Sequence, residues 1–445
     1  MSSTEPAVAF LTTLAALGTD GSDPERIDEI TALEQLKAAI SARQARLTDA
    51  FAVSHRAKLV KAGVKPVDAR RSVCAQIALA RRDSPHKGNR HVGLARTLVH
   101  EMPQVLQVME HGEGSEWRAT LIARETAHLS TEDHARIDAA LAPHLAGWSD
   151  RHTAHQARGW AHRLDPSGAA DRARQAVTDR RVTIRPAPDC MTYLTALLPM
   201  KEGVGVYGVL HRAAMTAHTN PDDHRSKGQV MADELIRRAL TPGAGEPEPV
   251  GIELHLVMTD RTLADRDDEP AHLIGQGPVP AAVARDLLTA DERTRVWVRR
   301  LFTDPGTGDL LATDARRRDF PPAARQFLVA RDQICRTPWC GAPIREADHA
   351  VAVSRGGSTD LRNGNGRCTT CNLVKDLRGW TTHVDDTGVI TTTTPTGRTH
   401  AGRPPKPPAS PPWNLRSRFD RSAGIGRPAL RIELQWPGEV FRSRQ

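Results

Sequence analysis

Four of the six cysteines stand close together late in the chain. They are Cys335, Cys340, Cys368 and Cys371, in the order Cys-x4-Cys, 27 residues, Cys-x2-Cys. Cys74 and Cys190 are isolated. Two tight pairs bring four thiolates together with little loop strain, and four sulfurs suit a tetrahedral zinc ion. Such clustering in a reducing compartment favours metal over disulfides. A zinc closed by four sulfurs has no open position, so it staples a small unit and does no hydrolysis. Chemistry must come from the polar residues between and beside the pairs. Those are Asp348-His349, Gly356-Gly357 and Asn363 between them, then Asn372 and Lys375 after the last cysteine.

These residue types suit phosphodiester hydrolysis. A histidine with its ordinary pKa near 6.5 can take a proton from water at neutral pH. A hard divalent cation stabilises charge on the phosphate and the leaving oxygen. Asp348 and Asn372 offer a carboxylate and an amide oxygen, the ligands Mg²⁺ accepts while keeping waters. Gly356-Gly357 suits a tight turn. A helix is expected over Asn372–Gly379, with Asn372 beside the positive end of its dipole and Lys375 one turn on, within reach of a phosphate. Plainer readings stand beside these: Lys375 as a solvated charge, Asn363 as a turn former, His349 as incidental polarity. Arg331, Arg336, Arg345, Arg355 and Arg367 surround the segment as a possible phosphate-binding rim. Trp339 and Trp380 read as small-domain core. One geometric question stays open. Adjacent residues on an extended strand point to opposite sides, so Asp348 and His349 share a site only if the strand twists, bulges or is wrapped by its hairpin.

The stretch CRTPWCGAPIREADHAVAVSRGGSTDLRNGNGRCTTCNLVK, residues 335–375, resembles the HNH endonuclease motif in its zinc-stapled form. The resemblance implies two strands and a helix around a catalytic metal. It implies that His349 is the general base, that Asn363 is the central motif residue and that Asn372 is the last, a His-Asn-Asn version. Asp348 and Asn372 would hold Mg²⁺ or another divalent cation. Cys335, Cys340, Cys368 and Cys371 would hold the structural zinc. Asn363 would hold the loop and so orient His349, and Lys375, Arg355 and Arg367 would contact substrate. The implied activity is metal-dependent hydrolysis of DNA. The alternative is a zinc-containing protein that binds nucleic acid without cutting it. A third reading makes the helical N-terminal region the working part of an interaction protein.

The elements that must carry this segment are read from pattern. The chain has 445 residues, 39 % apolar and 26 % charged, with a net charge of +8. Aromatics are 4 %, so cores must rest mostly on Ala, Leu and Val. The basic balance, with a pI near 9.5, favours a polyanionic partner. No run of 18 apolar residues predicts a transmembrane helix, and the N-terminal stretch lacks the basic start of a signal peptide, so a cytoplasmic protein is expected. Residues 27–61, 92–110, 119–143 and 151–181 carry helical periodicity. In the first, Ile30, Leu33, Leu36, Ile40 and Leu47 mark the expected core face. Pro103 should end a helix near Glu101 or Met102, Ser130–Asp133 should cap one, and Asp165-Pro166 should interrupt one.

Strands are expected at Val182–Ile184, Met191–Leu198, Val250–Met258, Thr381–Val384 and Val389–Thr394, and helices at Gly203–Ala217, Ser226–Leu240 and 278–301. The fold class expected is α+β. A mainly helical region, 1–241, precedes a mixed connecting region, 242–324, then the zinc-stapled ββα unit with its following hairpin, 325–398. A Pro/Arg-rich tail, 399–445, is expected to be extended or disordered. The stretch Gly228–Ile236 resembles the R-G-Q-R-R-A-D-A-L signature of an actinobacterial domain, with Val230-Met231 in place of the arginine pair. That domain belongs to the 13-E-12 repeat family, is linked to mobile elements and usually precedes an HNH unit. The resemblance implies no substrate for this part. A helical scaffold for target binding or dimerisation is the physical expectation.

Overall fold

The computed structural model describes residues 4–220, 222–241, 254–289, 320, 322–385, 387–403 and 405. The chain divides into two compact units, Met1–Asp171 and Arg172–Gln445. Helices dominate the first and small antiparallel sheets enter the second, which makes the fold α+β.

The first unit is a helical bundle. Its elements are α1 (Glu5–Ala15), α2 (Asp23–Lys61), α3 (Pro66–Ala80), α4 (Pro85–Arg96), α5 (Pro103–Glu110), α6 (Glu116–Thr126), α7 (Thr131–Leu141), α8 (Asp150–Leu164) and the start of α9 (Pro166–Ala176). Serines set most of the starts. The hydroxyls of Ser84, Ser115, Ser130 and Ser149 accept the amides of Lys87, Arg118, Asp133 and His152. Each such cap contributes about 1 kcal/mol. Between α4 and α5 the chain widens into a π turn, Thr97–Glu101, and breaks at Met102 ahead of Pro103. The buried Asp138 carboxylate caps α5 by accepting the Gln104 and Val105 amides, both at 2.8 Å. Burial pushes its pKa up, against the pull of those two amides. The core gathers Leu98, Met102, Val105, Leu106, Met109, Ile122, Ile137, Leu141 and Leu145.

The core face of α2 differs from expectation. Ile30, Ile40 and Leu47 are exposed, while Ala38, Ala42, Ala45, Thr48 and Asp49 are buried. Small side chains let the neighbouring helices approach α2 closely, so alanines, and not the larger apolar residues, line the contact.

In the second unit, β1 (Arg181–Pro186) and β2 (Thr192–Leu197) form a hairpin, followed by α10 (Met200–Ala217) and α11 (Lys227–Leu240). Next come β3 (Leu256–Val257), α12 (Asp260–Leu263), β4 (Ala271–Leu273), β5 (Gly277–Val279) and α13 (Ala281–Thr289). The strands β3, β4 and β5 pair as a small antiparallel sheet. The expected boundary at 242–249 lies outside the described residues, as do the first part of the expected 250–258 strand and the end of the 278–301 helix.

The cysteine-bearing region begins with α14 (Pro322–Asp332) and continues through β6 (Glu346–His349), β7 (Gly364–Arg367) and α15 (Thr369–Lys375). It closes with β8 (Thr381–Val384), β9 (Ile390–Thr393) and β10 (Thr399–Gly402), in which β9 pairs with both neighbours. β10 lies in the stretch expected to be tail. Its residues find hydrogen-bond partners along β9, so the ordered chain runs past Arg398. Among the described residues, no helix is long and apolar enough to cross a membrane.

Candidate functional site

The four sulfurs come together as their spacing predicts. Cys335, Cys340, Cys368 and Cys371 place their Sγ atoms within 4.8 Å of one another. A tetrahedron with metal–sulfur bonds of about 2.3 Å has edges of about 3.8 Å. The Cys340–Cys368 and Cys340–Cys371 separations are 3.7 and 3.6 Å. Two left-handed residues, Trp339 and Gly341, turn the chain around Cys340, and the Cys371 amide donates to Cys368 Sγ. Hydrogen bonds among the four thiols, with burial behind them, push the Cys371 thiol up, and the same contacts push the Cys335 thiol down. The cluster can hold a metal such as zinc.

One buried carboxylate fastens this cluster to its surroundings. Asp332, fully buried at the end of α14, accepts from Arg331 (2.7 Å), Arg336 (3.0 Å) and the Gly366 amide (2.6 Å). Arg331 donates onward to the Leu361 and Gly364 carbonyls, and Arg336 to the Gly388 carbonyl, each at 2.8 Å. Burial pulls the Arg336 pKa down, against the opposing pull of Asp332. A single acid thus ties α14, the first cysteine pair, β7 and the turn between β8 and β9.

β6 and β7 run antiparallel, with Asp348 opposite Asn365 and His349 opposite Gly364. Alternation along β6 puts Glu346 and Asp348 on one face, Ala347 and His349 on the other. On the first face each acid meets a residue of α15. Asp348 Oδ2 lies 2.9 Å from Lys375 Nζ, and Glu346 Oε2 accepts from Asn372 Nδ2. Lys375 is buried and also pairs with Asp376. Burial works to raise the Asp348 pKa, but the Lys375 ammonium and the His349 amide outweigh it and hold the carboxylate below its usual range. Asn372 Oδ1 is buried and has no hydrogen-bond partner among the described residues.

On the second face Ala347 joins the small core of Ala324, Phe327, Leu328, Leu361 and Phe320. The His349 ring packs against Phe320 at 4.8 Å, and its Nε2 lies 2.9 Å from Thr359 Oγ1. The pleat therefore separates Asp348 and His349, yet the strand ends there and the carboxylate turns back. Asp348 Oδ1 accepts the His349 amide at 2.7 Å and lies 3.5 Å from ring Nδ1.

Asn363 holds the loop between the strands. Its Nδ2 donates to the Val351 and Ser358 carbonyls at 2.9 and 2.7 Å, and its Oδ1 accepts the Val351 amide at 2.8 Å. Asp360 anchors it in turn by accepting the Asn363 amide. Gly356 takes a left-handed conformation, φ 86°. At Gly357 a Cβ would fall 1.8 Å from the Val351 carbonyl and 2.7 Å from Asn363 Nδ2. Gly357→Ala should therefore destabilise this unit by about 2 kcal/mol or more, since backbone cannot yield as a side chain does. Thermal unfolding checks it; an unchanged melting transition would show that the loop is looser than its contacts.

Three expectations are corrected by these placements. The helix begins at Thr369 and not at Asn372, because Cys368 serves as its N-cap, and it ends at Lys375. Asn372 is thus in mid-helix and gains nothing from the dipole. Arg336 and Arg367 point inward, 5 % and 2 % exposed, and Arg331 braces carbonyls. Arg367 Nε donates to Asn365 Oδ1 at 2.7 Å. Of the expected rim, Arg345 and Arg355 are on the surface, with Arg362 and Arg378 beside them in the sequence segment. Trp380 is core and Trp339 is half exposed.

A family model described as "Domain of unknown function (DUF222)" matches residues 33–332. The chain belongs to the DUF222 family. No curated protein and no solved structure matches it. The DUF222 match ends at Asp332, three residues before the first of the clustered cysteines, so the cysteine site lies outside it. Several residues of that site escaped the sequence reading. Glu346 and Thr359 are ordinary polar residues whose partners, Asn372 and His349, lie 26 and 10 residues away, and Asp332 pairs with the nearby Arg331 and Arg336 but also reaches Gly366 on β7. Only Glu346 left a trace, two positions before Asp348, the spacing that puts two strand residues on one face.

Proposed function

We propose that this chain is a metal-dependent endonuclease of the HNH type, acting on DNA phosphodiester bonds through the unit that follows its DUF222 region. The observation that carries the reading is Asn372 Oδ1. It is a buried amide oxygen left without a partner among the described residues, on the helix face that meets Asp348. A buried acceptor left open costs stability unless something else satisfies it. Asp348 and Asn372 would hold the divalent cation, and their hard oxygens fit Mg²⁺ or Mn²⁺. Such a cation supplies charge stabilisation at the phosphate and the departing oxygen.

The protein's own residues do the rest. His349 accepts the proton of the attacking water. We assign its ring proton to Nε2, donated to Thr359 Oγ1, which leaves Nδ1 as the base on the Asp348 side. Phe320 fixes the ring plane. Asn363 keeps the loop that carries Thr359 closed over the histidine. The cysteine cluster, holding zinc, fixes the start of α15 and with it the height of Asn372 opposite β6. The exposed Arg345 and Arg355, with the net charge of +8, favour a polyanion.

One observation favours a second reading, in which the unit binds nucleic acid without cutting. Asp348 is already neutralised by the buried Lys375, which leaves less demand for a further cation. A nicking assay on supercoiled plasmid separates the two. The nuclease reading expects open circles with Mg²⁺ or Mn²⁺ and none after chelation of the loosely held cation. Retention of DNA without conversion, under every divalent cation tried, supports binding alone.

A further inference from the structure

The contact between Glu346 and Asn372 does more than join a strand to a helix. A side-chain amide offers an acceptor at one end and donors at the other, and a half-turn about its last torsion swaps them. Only the oxygen can ligate a cation. We propose that Glu346 is a positioning residue that sets which end of the Asn372 amide faces the metal, an inference that rests on the nuclease reading above.

A carboxylate accepts and cannot donate, so Glu346 can engage only the NH₂ end of Asn372. Its Oε2 accepts a hydrogen bond from Nδ2, a charge-assisted bond of the strong class. That choice turns Oδ1 away from Glu346, and Oδ1 is left buried without a partner among the described residues. Asp348 lies two residues along on the same face of β6, with its Oδ1 given to the His349 amide and its Oδ2 to Lys375. Without Glu346 the amide is free to turn its NH₂ end toward Asp348, where it would donate to a carboxylate and compete with a cation. Glu346 removes that alternative before any cation arrives. A partner that orients a ligand in this way typically accounts for about 10- to 100-fold in metal affinity or activity.

The test uses the zinc-loaded full chain, with Mn²⁺ binding followed by electron paramagnetic resonance and plasmid nicking measured in parallel. Glu346→Ala should weaken Mn²⁺ binding about 10-fold or more. Glu346→Gln should recover most of the loss, because its amide oxygen still accepts the Asn372 proton. The deciding comparison is in an Asn372→Asp background. Both carboxylate oxygens there are ligands, so no end remains to be chosen, and Glu346→Ala should not weaken Mn²⁺ binding further. An equal loss in both backgrounds would mean that Glu346 acts through the fold or as a ligand itself, and would overturn the proposal. So would a Glu346→Ala protein that binds Mn²⁺ as the wild type does. A wild type that neither binds Mn²⁺ nor nicks DNA would instead overturn the nuclease reading.

Discussion

Replacing His349 by alanine should lower plasmid nicking by about 10²- to 10⁴-fold, the range general-base catalysis supplies. The ring stands at the end of β6, braced by Phe320 on one side and Thr359 at Nε2, with Nδ1 3.5 Å from Asp348 Oδ1. Alanine leaves the strand pairing with Gly364 intact, because that pairing is made by backbone. The loss should therefore be confined to the chemical step. Zinc content and Mn²⁺ affinity should stay close to wild type, since neither set of ligands includes the histidine. Thr359→Val should cost less, because it removes the brace and keeps the base. If His349→Ala cuts plasmid as fast as the wild type, the histidine is not the base and the catalytic reading falls with it.

The second large effect concerns the sulfurs. Cys371→Ser, or stripping with a strong chelator, should unfold the region from α14 to β10 and abolish every activity that depends on it. The magnitudes decide this. Among the described residues, the buried apolar side chains of this region, apart from the cysteines, are Ala324, Phe327, Leu328, Ala350, Leu361, Val374, Trp380 and Ile390. At about 2 kcal/mol for each large apolar side chain fully buried, they cannot offset the ordering of a region this long. A structural zinc contributes roughly 10–16 kcal/mol in small zinc-folded peptides. Zinc release, limited proteolysis and circular dichroism should therefore change together. Cys74→Ser is the control: Cys74 is buried in the helical bundle, far from the cluster in sequence, and its loss should leave zinc content untouched. A Cys371→Ser protein that keeps stoichiometric zinc and resists protease would show that the cluster is not what holds the region together.

What could be read from sequence followed from how local the cause was. The cysteine cluster was legible because metal geometry forces a spacing, and the strands and helix starts were legible where a serine cap or an alternating run marks them, as at Ser130 and Thr381–Val384. The direction of charged side chains was not. Arg336, Arg367 and Lys375 look alike as solvated cations; Asp332 and Asn365, four and two residues away, and Asp348, 27 residues away, turn them inward, and nothing in the spacing marks those pairings. The α15 start was misread because a cysteine, not a usual capping residue, caps it. On α2 the large apolar residues mark a face by periodicity, while the alanines that make the contact carry little signal. The open question of Asp348 and His349 also needed structure. The strand keeps them on opposite faces, and the carboxylate alone turns back.

Asp332 gives the boundary of the family match a different meaning. The match closes on the residue whose carboxylate grips Arg336 from the next segment and the Gly366 amide from β7. The helix it ends, α14, supplies Phe327 and Leu328 to the cluster under His349. The seam recognisable between sequences is therefore not a seam in the material. A gene fragment cut at that line would carry the cysteine cluster without the acid that braces it, and the upstream piece would keep Asp332 paired with Arg331 alone. The family match and the packing divide this chain at different places, and α14 falls with the first by sequence while serving the second by contact.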